Sequence, residues 1–180
     1  VADIAGGGLN AVIGILLALL AREKTGEGQY IDISMTDGMV GFLSLPYFFA
    51  KQSGQPPQKG DALLSHRYAC YNTYETADGR YLALGAVENK FWRGLCDHLQ
   101  CPEYTPLQYN EDKREEIIGY LRRRFLAKTL AAWEAELADL DICCTVVKTM
   151  DEVLTDELFQ AREMVYTYTD ASGAKRHGFG

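Results

Sequence analysis

One stretch limits what this chain can become more than any other. From Ala11 to Ala21, eleven residues run without a single polar side chain. A helix built over them, from about Gly8 to Glu23, is apolar on nearly every side, and such a helix is buried all round instead of lying on a surface. The sequence therefore predicts a core helix that needs partners on several faces, some of which a truncated chain loses. Ahead of it stands Asp3-Ile4-Ala5-Gly6-Gly7-Gly8. Glycine has no Cβ, so the backbone there can bend sharply and approach a ligand closely. A helix opening at that point aims its unpaired N–H groups at whatever lies in front of it, and Asp3 is just upstream. The arrangement suits a carboxylate held ionised for chemistry, and it equally suits a plain structural cap.

The rest of the chain reads as a short first unit and a longer second one. Thr25-Gly26-Glu27-Gly28-Gln29 forms a turn, and Tyr30 to Met35 alternates apolar and polar residues as a strand does. Asp37 opens a helix through Met39, Val40, Phe42 and Leu43, which Pro46 kinks or ends. Lys51 to Asp61 is polar and rich in Pro and Gly, the composition of a connector. Tyr68 to Thr76 and Arg80 to Ala86 predict a hairpin turned at Ala77-Asp78-Gly79. Helices follow over Asn89–Leu99, Glu111–Lys128 (amphipathic) and Leu130–Leu140, the last capped by Thr129. Ile142 to Val147 reads as a strand, and Thr149 with Glu152 has capping-box spacing. Met164 to Gly173 is either a final hairpin or the start of a connector back to the first unit.

Bulk properties exclude several classes. Eighteen basic against 25 acidic side chains leave a formal charge of −7, which argues against a nucleic-acid or anionic-membrane surface but allows a local basic pocket. Val1-Ala2-Asp3 lacks the basic start of a signal peptide, and the apolar run falls short of the roughly 20 residues that span a bilayer. Five cysteines (Cys70, Cys96, Cys101, Cys143, Cys144) without framework spacing indicate buried reduced thiols in a cytoplasmic protein. With no C-x-x-C pair and His66, His98 and His177 scattered, no metal site is expected.

Asp3 and Glu88 are the candidate chemical groups. Each stands just ahead of a predicted helix, where the dipole and free N–H groups favour the charged form. Glu is a poor cap, so Glu88 before Asn89 has less structural excuse than Asp3. Either carboxylate is also explicable as a helix-start residue without chemistry. Gly6-Gly7-Gly8 matches neither common phosphate-loop pattern. Tyr68, Tyr71, Tyr74 and Tyr81 read as cross-strand packing. Arg67 and Lys90 are ordinary surface charge unless they meet a phosphate. His66 reads as an exposed loop residue, with replacement base as the alternative.

Two blocks together carry a resemblance. Asp3 with Gly6-Gly7-Gly8, the run Ala21 to Gln29 and Asp32 to Gly38 form the first; Tyr71 to Trp92, including Gly85-Ala86-Val87-Glu88, forms the second. In this order and at about this separation they resemble the family III CoA-transferases, which include α-methylacyl-CoA racemases. The resemblance implies an α/β (α+β) fold: the edge of a Rossmann-like large domain plus a smaller α/β domain, taken from an interlocked homodimer. On that reading residues 1–50 belong to the CoA-binding large domain and 51–66 to a linker. Residues 67–168 form the small α/β domain and 169–180 start the linker back, the whole being an internal fragment of a longer chain.

The resemblance also assigns residues. Asp3 matches the family aspartate that is acylated in transferases and exchanges the α-proton in racemases. Glu88 matches a supporting glutamate of the racemase branch, and Tyr71 and Val87 match positions lining the acyl pocket. A histidine acting as second base falls upstream of Val1, and Ser65-His66-Arg67 stands where many members have a glycine-rich turn. Three functions follow as expectations. The first is an isomerase epimerising 2-methylacyl-CoA by proton abstraction and return. The second is a transferase moving CoA between carboxylic acids, in which the aspartate attacks the thioester to form a mixed anhydride and then an aspartyl-CoA thioester. The third is an inactive interaction fragment, because the 180 residues alone lack the upstream base. No prosthetic group is expected; the coenzyme A thioester is substrate.

Overall fold

The computed structural model describes residues 1–56, 59–60 and 62–180. Pro57, Gln58 and Asp61, part of the polar connector, lie outside the described residues. The chain divides into two compact units, Val1–Ala62 and Leu63–Gly180.

In the first unit the apolar run forms helix α1 (Asn10–Thr25), stopped by Gly26 at φ 75°, whose N–H donates to the Arg22 carbonyl. Arg22 and Lys24 in the last turn complement the negative end of the helix. What precedes α1 is not a bend. Ala2–Leu9 is a wide, π-type helical segment with Asp3 in its first turn, and the Gly6 N–H reaches back to Val1 O at 3.4 Å. The glycines therefore extend the helix, giving a continuous run Ala2–Thr25 of 24 residues that holds an 18-residue stretch of mean hydropathy 2.2. By length and composition alone that run can cross a bilayer, which the shorter apolar stretch read from the sequence did not suggest.

The expected all-round burial is not what the unit shows. Val12 is 54% exposed, Leu17 61% and Leu20 57%, because the unit supplies cover on one side only. Ile31 and Ile33 provide part of it: a Cβ at Gly14 would lie 3.2 Å from Ile31 Cγ2 and 3.3 Å from Ile33 Cδ1. Their alternation is real, yet residues 30–34 pair with no strand among the described residues. A strand needs a neighbour for its N–H and C=O groups, so this segment stays irregular. Helix α2 (Met35–Gly41) begins two residues before Asp37, since Ser34 Oγ accepts from the Asp37 N–H at 3.2 Å and caps it. Pro46 ends nothing. It occupies the first turn of α3 (Ser44–Ser53), where its missing N–H costs no bond.

The second unit is a mixed helix-and-sheet body. Strands β1 (Tyr71–Glu75) and β2 (Tyr81–Gly85) form the hairpin, with Gly79 at φ 71° in its turn. Tyr71 pairs with Gly85 and Glu75 with Tyr81. A third antiparallel strand, β3 (Cys144–Val146), adds to β2. Cys143, at φ 49°, interrupts the longer strand expected from Ile142. Asn72, Tyr74, Leu82 and Leu84 face inward and are buried. Against them lie α4 (Asn89–His98), α5 (Arg114–Phe125) and α6 (Leu130–Leu137), burying Trp92, Leu95, Ile117, Leu121, Phe125 and Trp133. Side chains this large contribute roughly 1.5–3 kcal/mol each when fully buried. Their polar atoms are paired: Trp92 Nε1 donates to Tyr104 O at 3.0 Å, Trp133 Nε1 to Phe125 O at 2.8 Å and Tyr74 Oη to Ala69 O at 2.6 Å.

The tyrosines do not form one cluster. Tyr74 pairs with Leu82 and Tyr81 with Glu75, so pleat alternation sends the two rings to opposite faces. Tyr74 stacks on Phe125 at 5.0 Å, and Tyr68 meets Tyr109 edge-on at 5.3 Å. All five thiols are free; Cys70, Cys96 and Cys101 are buried, whereas Cys143, at its left-handed position, is exposed. The chain continues through α7 (Met150–Thr155), α8 (Glu157–Ala161) and a hairpin of β4 (Val165–Thr169) and β5 (Lys175–Phe179).

Glu152 ties α7 to the sheet. It closes the capping box with Thr149 and accepts from Arg80 Nη1 at 3.0 Å and Nη2 at 2.6 Å. The Arg80 bonds, then the Thr149 N–H, push its carboxyl from an ordinary 4.5 down to about 2. A folded value below the unfolded one gives stability that is present above pH 4.5 and lost as pH falls towards 2. Thermal unfolding of Glu152→Gln should therefore show a shallower loss of Tm across that acid window than the parent. Parallel slopes would remove Glu152 as the cause.

Candidate active site

Register builds one end of the hairpin into a site. Because Tyr71 opposes Gly85, β1 begins where β2 ends, and Tyr71, Val87 and Glu88 gather at that end. The Gly85 N–H still donates to Cys143 O at 2.8 Å, after which the Val87 N–H turns back to Gly85 O at 2.9 Å. This tight turn delivers Glu88 to the start of α4. Glu88 is the N-cap, with extended backbone (φ −72°, ψ 137°), and its carbonyl accepts from Phe91 N–H at 3.0 Å and Trp92 N–H at 3.2 Å. Its carboxylate makes no capping bond. It is exposed and takes no hydrogen-bond or ion-pair partner among the described residues.

The backbone carrying Glu88 is braced by two residues that the sequence reading missed. Gln108 follows a short 3₁₀ segment, Pro102–Leu107, and is 6% exposed. Its Nε2 donates to Ala86 O at 3.0 Å and to Val87 O at 2.8 Å. Tyr109 Oη donates to the same Val87 carbonyl at 2.5 Å. Burial, the Cys70 thiol and the nearby Glu88 charge push the Tyr109 phenol up to about 12, so it remains a donor throughout the neutral range. Burial likewise pushes the Cys70 thiol up. A pocket of about 430 Å³ opens beside this brace, with Val87, Asn89, Thr105, Gln108 and Tyr109 in its wall. No pattern in Leu107-Gln108-Tyr109 announces the brace, since its partners are carbonyls 21 and 22 residues away.

Tyr71 is half-buried, its ring 6.4 Å from that of His66. His66 is exposed, at φ 64°, and its carbonyl accepts from Asn72 Nδ2 at 3.1 Å. Arg67 forks onto Glu111, Nε to Oε1 at 3.1 Å and Nη2 to Oε2 at 2.8 Å. Tyr68 Oη also donates to Glu111, which with Arg67 holds that carboxyl below its usual range. Lys90 lies over the Phe91 ring at 4.1 Å and 3.6 Å from Asp141.

Asp3 belongs to the first unit. It is exposed and stands one helical turn before the place where its helix crosses α2. That crossing explains the glycines. A Cβ on Gly6 would meet Met35 O at 2.8 Å, and one on Gly38 would meet Gly6 O at 2.6 Å and Gly6 Cα at 2.7 Å. Asn10 Nδ2 donates to Gly6 O at 3.1 Å and locks the same turn. The glycine run thus serves helix-to-helix approach within the described residues, in place of the sharp bend expected. A separate pocket of about 670 Å³, walled by Asn10, Gly14, Asp32, Ser34, Asp37 and Gly38, lies in this unit.

The second unit is thus a mixed helix-and-sheet body that presents an exposed carboxylate at the start of a helix. The family model for CoA-transferase family III matches residues 1–179, and the chain belongs to that family. It is 36% identical to human alpha-methylacyl-CoA racemase over 154 residues, covering 85% of this chain and 40% of the relative. It is 31% identical to a succinyl-CoA:mesaconate CoA-transferase of Haloarcula hispanica over 171 residues, covering 92% of this chain and 42% of that protein. Among solved structures it superposes on a CAIB/BAIF family protein from Brucella suis with a TM-score of 0.71 and 29% identity. That match covers 97% of this chain and 46% of the other. The chain therefore spans about two fifths of the length of the relatives it matches.

The Gly6–Gly38 crossing makes a direct prediction. Gly38→Ala drives a methyl into backbone, which cannot yield as a flexible side chain does, and should destabilise the first unit by about 1–3 kcal/mol. Chemical denaturation of the full-length protein, monitored at that unit by hydrogen exchange, measures it. Unchanged exchange across α1 and α2 would show that the crossing is looser than described.

Proposed function

We propose that the chain is part of a cytoplasmic acyl-CoA enzyme that epimerises the α-carbon of 2-methylacyl-CoA thioesters. The observation that carries this reading is Glu88. It is a carboxylate in a position where Glu caps poorly, left without a partner while the peptide groups before it are pinned. The 36% identity to a protein named alpha-methylacyl-CoA racemase supports the same reaction class.

Inversion at the α-carbon requires a proton to leave from one face and another to arrive on the opposite face. The electron pair of the broken C–H bond moves onto the thioester oxygen as an enolate, then returns to carbon when the second proton is delivered. In this reading Asp3 exchanges the α-proton, Glu88 supports that site, and Tyr71 and Val87 line the acyl group. The family resemblance puts the second base on a histidine upstream of Val1. The enzyme works as a homodimer without a prosthetic group, taking the CoA thioester as substrate. The exposed apolar helix Ala2–Thr25 is read as a core helix of that assembly, because Gly6 and Gly14 already accept protein neighbours at close range.

A second reading has its own support. The Haloarcula relative is named a CoA-transferase, and a lone aspartate such as Asp3 can attack a thioester to form a mixed anhydride, releasing CoA thiolate. An inactive interaction piece is the third reading, and calorimetry of these 180 residues with CoA separates it. Heat of binding from this stretch alone would count against placing most of the cofactor pocket elsewhere.

The deciding measurement is deuterium wash-in from solvent at the α-carbon of a 2-methylacyl-CoA, catalysed by the full-length protein. Wash-in should occur without any acceptor acid. Asp3→Asn and Glu88→Gln should each lower its rate by about a hundredfold or more while the fold survives. A retained α-hydrogen, with acceptor-dependent CoA exchange and an acyl-aspartate trapped by hydroxylamine, would transfer the assignment to the transferase reaction.

A further inference from the structure

The carbonyls of Ala86 and Val87, the two residues before Glu88, lie beyond the end of the β1–β2 ladder. No backbone N–H reaches either of them among the described residues. They are held only by side chains: Gln108 Nε2 at 3.0 and 2.8 Å, and Tyr109 Oη at 2.5 Å on the second. Gln108 Nε2 also lies 3.1 Å from Tyr109 Oη, which joins the two braces. Resting on the reading of Glu88 as part of the reaction site, we propose that Gln108, seconded by Tyr109, is the positioning residue that fixes where the Glu88 carboxylate stands.

Burial supports this assignment. Gln108 is 6% exposed, and a primary amide withdrawn from water costs free energy unless its donors and acceptor are used. A loop needing only to fill space would be served by an apolar residue. This one spends its amide on two consecutive peptide groups, which together fix the dihedrals leading into the N-cap. Asn89 Nδ2 lies 3.5 Å from Gln108 Oε1, and Arg93 Nη2 donates to Asn89 Oδ1 at 3.2 Å. The brace thus continues into the first turn of α4. Val87, Asn89, Gln108 and Tyr109 also wall the pocket of about 430 Å³, so any movement of the turn shifts the carboxylate relative to whatever fills that space. A displacement of about 1 Å at a reacting group can cost on the order of a hundredfold in rate.

The test is a double-mutant cycle on wash-in by the full-length protein, using Glu88→Gln, Gln108→Met and Tyr109→Phe. Gln108→Met keeps the volume and deletes the donors. It should lower kcat by about ten- to a hundredfold with KM within about twofold. In the Glu88→Gln background it should cost nothing further, because a brace acts only through the group it positions. Losses that multiply in the double variant, or an unchanged kcat in Gln108→Met, overturn the proposal. Should Gln108→Met fail to fold by circular dichroism, Tyr109→Phe at its half-exposed position carries the same cycle. A several-fold fall in kcat that vanishes in the Glu88→Gln background supports the brace, and an unchanged or additive rate overturns it. Glu88→Gln at the parent rate would overturn the reading of Glu88 itself, and this inference with it. A slow Glu88→Gln beside fully active Gln108→Met and Tyr109→Phe would overturn the inference alone.

Discussion

The layer between the hairpin and the helices behind it governs the second unit. Tyr74, Leu82 and Leu84 on the sheet close against Trp92, Phe125 and Trp133, and each buried N–H or O–H in that layer reaches a carbonyl. Once those rings are out of water, β2 and α4 can be joined only by a very short connection. The chain has three residues, Ala86 to Glu88, to leave the sheet and begin a helix. That economy is what sets a carboxylate at a helix start. The chemistry proposed for the chain depends on a packing constraint several residues away from it.

The same constraint leaves peptide groups in need of partners. A strand that ends early orphans its next carbonyls, and an exposed turn would hand them to water. Here Gln108 and Tyr109 take them instead, and the turn becomes stiff where it would otherwise be mobile. The two units use different means to the same end. In the first, glycines let two helices touch backbone to backbone near Asp3; in the second, side-chain donors hold the strand end near Glu88.

The sequence was legible wherever a local rule had no competitor. Gly79 in the hairpin turn, Thr129 at the start of α6 and the Thr149–Glu152 box all act between residues at most three or four apart. The stripe Ile117, Ile118, Leu121 and Phe125 declares a buried face through its period alone. Reading failed where a pattern needed a neighbour to realise it. Tyr30 to Ser34 alternates as a strand does, but without a paired edge it remains irregular. Tyr74 and Tyr81, read together as cross-strand packing, part to opposite faces of the pleat.

Residue types and local order thus carried the family resemblance, the main helices of the second unit and the hairpin, and they singled out the two candidate carboxylates. Such features depend on spacing along one segment, and spacing is written in the chain. Tertiary structure alone decided that Gly6 and Gly38 share a crossing and that Gln108 and Tyr109 secure the turn before Glu88. Each of these joins atoms remote in sequence. Distance in space between such atoms is fixed by how apolar layers close, and no one-dimensional pattern records it.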